Sequence, residues 1–181
     1  MTPQEGNPVT RLRAAVSVLA LVVAVLLGGC TQASPNTTAV VNGVVIHESS
    51  VDEMTNGLLD ASADLTLSGT RWNAVRALIF GEMATQIAAS KGIKLAAPDI
   101  PALAGGDAET MAVLSTTQGY RYAVLASHWQ QVKADLGADE LTNTLSSLDV
   151  TLNPRYGAWA DFLASSASNV PTGSLSVVSG S

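Results

Sequence analysis

GTRWNAVRALIFGEMATQIAAS, residues 69–90, places Trp72, Val75, Ile79, Met83 and Ile87 at intervals of three and four. That period lays five large apolar side chains along one stripe of an α-helix, which must be buried against something else. Lys91 adds a positive charge to the last turn, and Gly92 reaches left-handed backbone without strain, so the helix is expected to end there.

Working outward, Ala96 to Gly106 holds two prolines and two glycines and reads as a loop. Asp107 is placed to cap a short helix through Met111 and Leu114. From about Gln118 to Leu136, Leu125, Trp129, Val132 and Leu136 recur at spacings of four, three and four, and Gly137 stops the pattern. Asp139 then opens a further short helix carrying Leu141, Leu145 and Leu148. On the upstream side, Val51, Met54, Leu58 and Leu59 follow helical spacing, with Ser50 and Glu53 forming a predicted capping box. Before them, Ala39 to Ile46 (AVVNGVVI) sets β-branched residues on either side of Asn42-Gly43, which fits either a small hairpin or one bulged strand. Val150 and Leu152 alternate with polar neighbours in a last short strand, ended by Pro154. The expectation is a mainly α fold: a multi-helix domain with a small pair of strands formed by its start and its end. Val44 and Leu152 are expected to lie on neighbouring strands, because a lone short strand leaves its backbone groups unsatisfied.

The first thirty residues are different in kind. Arg11 and Arg13 precede Ala14 to Leu27, an apolar run without a charge. Its fourteen residues would span roughly 21 Å as a helix, short of a bilayer core of about 30 Å. The length suits the apolar region of a signal peptide better than a membrane span. Leu27-Gly28-Gly29-Cys30 follows directly and resembles the bacterial lipobox, in which the cysteine thiol receives a diacylglyceryl group and the bond before it is cut. Cys30 is the single cysteine of the sequence, so an intramolecular disulfide is excluded. The expected organisation is a signal peptide over 1–29, a flexible tether over 30–38 (TQASPNTT after the cysteine), a helical domain over 39–164, and a loosely ordered Ser/Gly/Val tail over 165–181. The expected place is the outer side of the cell membrane, held there by membrane lipid through acylated Cys30.

Residues 30–181 carry seven basic and fourteen acidic side chains, a net charge of −7 against −6 for the whole sequence. An acidic domain argues against nucleic acid as a partner. Catalytic signals are sparse. His47 and His128 lie in different elements, and Cys30 is assigned to lipid. No phosphate loop, HExxH, CxxC or GxSxG pattern occurs. The adjacent acids Asp52-Glu53 and Asp139-Glu140 point in different directions on a helix and fit first-turn positions. Trp72 and Trp129 sit on apolar stripes and read as core, whereas Trp159 fits either a core or a groove. The expectation is a protein without catalytic residues, metal or cofactor.

Two segments together resemble the N-terminal domain of SurA-type periplasmic chaperones and PrsA-like foldases. Val40-Val41-Asn42-Gly43-Val44-Val45-Ile46, followed by a helix, is similar to the "VNG..I" strand that opens that domain. Val150-Thr151-Leu152-Asn153-Pro154-Arg155-Tyr156-Gly157, with Trp159 beyond, resembles the "V.VNPRYG.W" segment of lipoprotein members of the group. The resemblance covers about residues 39–160. It implies that the opening and late strands pair, and that the helices enclose a concave apolar surface for unfolded or extended polypeptide clients. It also implies a holdase-like role, with an adaptor for one specific envelope partner as the alternative. Flexible methionines such as Met83 and Met111 would suit varied clients. Foldases of the group carry a histidine-containing parvulin domain. Here 25 residues follow Tyr156 and none is histidine, so isomerase catalysis is not expected.

The anchor is open to a direct check. Cys30→Ala should abolish incorporation of labelled palmitate and leave an unprocessed precursor. Labelled fatty acid in the variant would contradict the assignment.

Overall fold

A computed structural model describes residues 34–168, and the side chains of 34–164. Cys30 and the lipobox residues Leu27, Gly28 and Gly29 lie outside the described residues, as does the tail from residue 169. The described part is mainly helical, with a small three-stranded antiparallel sheet.

Strands β1 (Thr37–Val41) and β2 (Val44–His47) form a hairpin around Asn42-Gly43. Both turn residues have positive φ, 46° and 84°, as the twist of a two-residue hairpin requires, and Asn-Gly is the pair that tolerates it. A hairpin is therefore the outcome, with one irregularity of register between Thr37 and Ala39. Strand β3 (Val150–Leu152) adds antiparallel to the other side of β1, in the order β2-β1-β3. The expected pair of strands is thus three. The expected neighbours Val44 and Leu152 are separated by β1, and Leu152 faces Ala39 instead. The pairing expectation treats each end of the domain as a single strand, and the Asn-Gly turn doubles the first. β1 also starts inside the segment expected as tether: Thr37 and Thr38 are buried, and the compact unit begins at Pro35.

Helix α1 (Glu48–Leu59) begins two residues before the expected capping box, with His47 at the cap position and no side-chain cap. The strand runs straight into the helix, and the Glu48 N–H donates to the Asn36 carbonyl at 2.9 Å. Pairing with the segment that leads into β1 thus satisfies the first N–H of the helix, and the backbone is already helical when it reaches Ser50. Helix α2 (Leu67–Lys91) is the centre of the molecule and ends on left-handed Gly92, φ 70°. It is buried on more than the expected stripe, since Ala74, Ala77, Leu78, Phe80 and Ala84 join Val75, Ile79, Met83 and Ile87 in the core. The expected loop before Gly106 contains a short helix, α3 (Ile100–Ala104), because Asp99 accepts from the Ala102 N–H and Pro101 sits where a helix start tolerates it. Asp107 caps α4 (Ala108–Leu114) through the Thr110 N–H, in keeping with its position in the sequence.

Helix α5 (Thr117–Ser146) crosses α2 and is broken at Gly137, whose φ of 72° and ψ of 174° only glycine adopts readily. α5 approaches α2 at Gly81, where a Cβ would overlap the Leu125 side chain. Helix α6 (Trp159–Ser168) extends four residues beyond the expected domain end. It brings Phe162, fully buried, against Trp72 (5.2 Å between ring centres), Phe80 (5.7 Å) and Trp159 (5.5 Å). Phe80 also stacks on Trp129 at 4.8 Å. All three tryptophans therefore pack in one aromatic cluster. Among the described residues, no helix is long and apolar enough to cross a membrane.

Two stability measurements test this packing. A Cβ at Gly119 would collide with the Val113 backbone carbonyl, which cannot rotate away as a side chain would. Gly119→Ala should cost about 2–3 kcal/mol in urea unfolding with an unchanged slope, and a loss under about 0.5 kcal/mol would contradict the contact. Burial pushes the Tyr122 phenol up to about 12, against a smaller opposing pull from Arg76. The folded state then holds that proton after the unfolded polypeptide has lost it. Stability should therefore be intact below pH 10 and fall between pH 10 and 12, with Tyr122→Phe flattening that slope.

Candidate functional site

The residues that carry the sequence resemblance meet in a clasp that joins the two ends of the domain. The Asn42 N–H donates to the Asp149 carbonyl at 2.7 Å, and its side-chain oxygen accepts from the Asp149 N–H at 2.8 Å. Gly43 provides the second left-handed turn residue. Asn153 donates through its backbone N–H to the Thr38 carbonyl at 2.9 Å, and through Nδ2 to the Thr37 carbonyl at 2.7 Å. Its Oδ1 accepts from the Arg155 N–H and caps a 3-10 turn, Pro154–Tyr156, which Gly157 ends with φ 88°. Arg155 reaches the Pro35 carbonyl at 2.9 Å, and its other nitrogen lies 3.7 Å from the Glu48 carboxylate. Tyr156 donates to Glu48 Oε2 at 2.8 Å, and Arg71 donates to the same oxygen at 2.6 Å and to Asp52.

Glu48 is thus a buried carboxylate whose Oε2 accepts from two donors, Arg71 of α2 and Tyr156 of the late motif, while its Oε1 has the Arg155 guanidinium nearby and no hydrogen-bond partner among the described residues. The bond to Asp52 holds the Arg71 guanidinium protonated well above its usual range, outweighing the cost of burial. Burial, reinforced by the bond to Glu48, raises the Tyr156 phenol. The polar groups of the motif are engaged in tying backbone to backbone or helix to turn, so the motif's role here is architectural.

A different surface has the features of a binding site. The hydrogen bonds of β1 alternate: Thr38 and Asn42 bond toward β3, while Ala39 and Val41 face β2 partners Ile46 and Val44. On β2, Val44 and Ile46 therefore point their backbone groups inward, and Val45 points its N–H and C=O outward along an edge that no other strand pairs among the described residues. Beside that edge runs a groove of about 190 Å³, floored by Leu78 of α2 and Leu125 of α5 and flanked by Glu82 and Arg121. Val44 and Val45, 44% and 43% exposed, adjoin it; the other large exposed hydrophobics among the described residues are Leu67 and Tyr120. The edge carries no lysine or proline, the usual protection of an open strand. This groove was invisible in the sequence because its parts come from β2, α2 and α5.

A larger, polar cleft of about 480 Å³ lies between Asn42, the end of α2 and the part of α5 after Gly137, with the Lys91–Glu140 ion pair of 2.8 Å at its rim. Several of its groups already bond one another, as Asn42 does with Gln86 at 2.8 Å and Gln86 with the Val41 carbonyl. His47 lines the β2 groove, whereas His128 is half-buried on α5, where burial favours the neutral imidazole. Met83 is 0% exposed, so the expectation that it adapts to clients is corrected: it is core. Met111 is half-buried. Among the described residues, no group of three or more His, Cys, Asp or Glu side chains could hold a metal ion. Comparison of the sequence and fold with protein-family models, curated proteins and solved structures returns no match.

The clasp makes a graded prediction. Asn153→Asp keeps an acceptor for the cap but loses the donor to Thr37, whereas Asn153→Ala loses both. Unfolding in urea at neutral pH should show a cost of about 3 kcal/mol or more for the first, whose second carboxylate oxygen meets the Thr37 carbonyl in a buried place with no proton between them, and about 2 kcal/mol for the second. Equal, negligible losses would remove the clasp's energetic role.

Proposed function

We propose that this protein is a membrane-anchored extracytoplasmic lipoprotein with a SurA N-terminal-like domain, and that it acts without catalysis as a chaperone-like holder of extended segments in exported polypeptides. The observation that carries the binding role is the open β2 edge, with Val44 and Val45 exposed beside the Leu78–Leu125 floor. An extended peptide gains main-chain hydrogen bonds from such an edge and side-chain contacts from the floor beneath it. The lipobox and Cys30 support the anchoring, and the pairing of β1 with β3 agrees with the arrangement that the resemblance implies.

One observation favours the second reading, an adaptor for a single envelope partner. The apolar interior is closed, Met83 included, so the contact surface is a narrow strip rather than a broad concave apolar face. A strip of this size fits one defined segment at least as well as many collapsed clients.

Light scattering on a chemically unfolded client separates the two. A soluble form beginning at Thr31 should suppress aggregation near stoichiometric ratios without nucleotide, and show no prolyl isomerase rate above background. Val45→Pro should lose the suppression while remaining folded, since it removes only an outward-facing N–H. Absence of suppression at several-fold excess would favour the adaptor, and a clear isomerase rate would contradict both readings.

A further inference from the structure

The groove beside β2 also carries information about what lies in it. Arg121 supplies the positive charge among the groove's lining residues, and it sits one helical turn before Leu125 on α5. Side chains four apart on a helix are neighbours, about 5–6 Å between Cβ atoms. Alternate residues of an extended peptide on one face are about 6.8 Å apart. A strand added to β2 can therefore set an apolar side chain over Leu125 and, two residues along, a group beside Arg121. The Arg121 side chain is 41% exposed, and its ion-pair contact is Glu53, 4.0 Å away and itself 65% exposed. An exposed pair at that distance is held weakly, so exchanging it for a ligand group costs little. Across the groove, Glu82 accepts from Gln86 at 2.8 Å and is tied to its own helix.

We infer that this groove, on the strand-addition reading proposed above, recognises an extended peptide that bears a carboxylate two positions from an apolar residue, with Arg121 holding the carboxylate. Three features of different origin converge on that class of ligand: the outward backbone groups of Val45, the Leu78–Leu125 floor and the Arg121 guanidinium. A planar guanidinium binds a carboxylate through two parallel hydrogen bonds, which fixes both position and charge. The carboxylate is that of an aspartate or glutamate side chain, because the spacing of alternate side chains along an extended peptide is what sets one group over Leu125 and the next beside Arg121.

Fluorescence anisotropy with labelled octapeptides of alternating valine and threonine tests the inference. One peptide ends in a carboxamide and is neutral, a second carries aspartate two residues from a valine, and a third has a free terminal carboxylate. The expected result is that the aspartate peptide binds about tenfold tighter than the neutral one, and an advantage confined to the peptide with the free terminal carboxylate would overturn the side-chain assignment. Arg121→Gln should bring the aspartate and neutral peptides to the same affinity, while Arg121→Lys should restore part of the difference. Val45→Pro should weaken all three peptides. Equal binding of all three to the wild type would overturn the carboxylate inference, and so would an advantage that survives Arg121→Gln. Strand addition would then still stand on the Val45→Pro result. Binding of none of them would overturn strand addition and the inference with it.

Discussion

Strand β1 is hydrogen-bonded on both sides, and the rest of the structure is arranged to make that possible. Its odd residues face β2, the neighbour it acquires through the Asn42-Gly43 turn, and its even residues face β3, more than a hundred positions away. Local chemistry closes the first pairing. The second is a long-range closure, whose entropic cost has to be met by contacts formed only when the helices have packed. Asn42 and Asn153 hold the two ends of the β1–β3 ladder, each through backbone and side chain together. Past the sheet, Glu48 draws α1, α2 and the Pro154–Tyr156 turn to one point, while Arg155 reaches back to Pro35. The segment leading into the domain thus enters at the middle of its sheet.

Much of this is legible locally. The stripe from Trp72 to Ile87 with Gly92 behind it, the Asp107 cap, the break at Gly137 and the Asn-Gly turn each depend on a few adjacent residues, and all four are seen. What fails to show depends on neighbours distant in sequence. Ser50 and Glu53 have the pattern of a capping box, but the backbone at Asn36 supplies the bond that starts α1 earlier. The proline and glycine content of 96–106 hides α3, although Asp99 and Pro101 are themselves start signals. Met83 is compositionally suited to an adaptable surface and is buried because α2 is covered on several sides. The Ser-rich sequence after Trp159 masks α6, and with it Phe162, around which Trp72, Phe80 and Trp159 gather.

The same contrast separates the two groups of functional interest. The Asn42-Gly43 and Asn153–Gly157 motifs are contiguous and stand out in the sequence, yet their polar groups are consumed in joining the domain's ends. The β2 groove has no sequence signature. Val45, Leu78, Arg121 and Leu125 come from three elements and become neighbours only through the α2–α5 crossing at Gly81. Architecture and binding are thereby divided: the clasp secures the inner side of the hairpin through β1, and the outer side of β2 stays open. A closed core is consistent with this division, because binding at an edge does not require the helices to separate.

Native-state hydrogen exchange tests the central role of β1 most directly. If its two-sided pairing is the constraint on which the fold depends, the amides of Ala39, Val40 and Val41 open only with global unfolding. Their exchange should then share the free energy and urea dependence of core α2 amides such as Ile79 and Met83. Exchange of the β1 amides through a smaller opening, with little urea dependence while α2 stays protected, would show that the sheet is an appendage to the helices and would contradict the account.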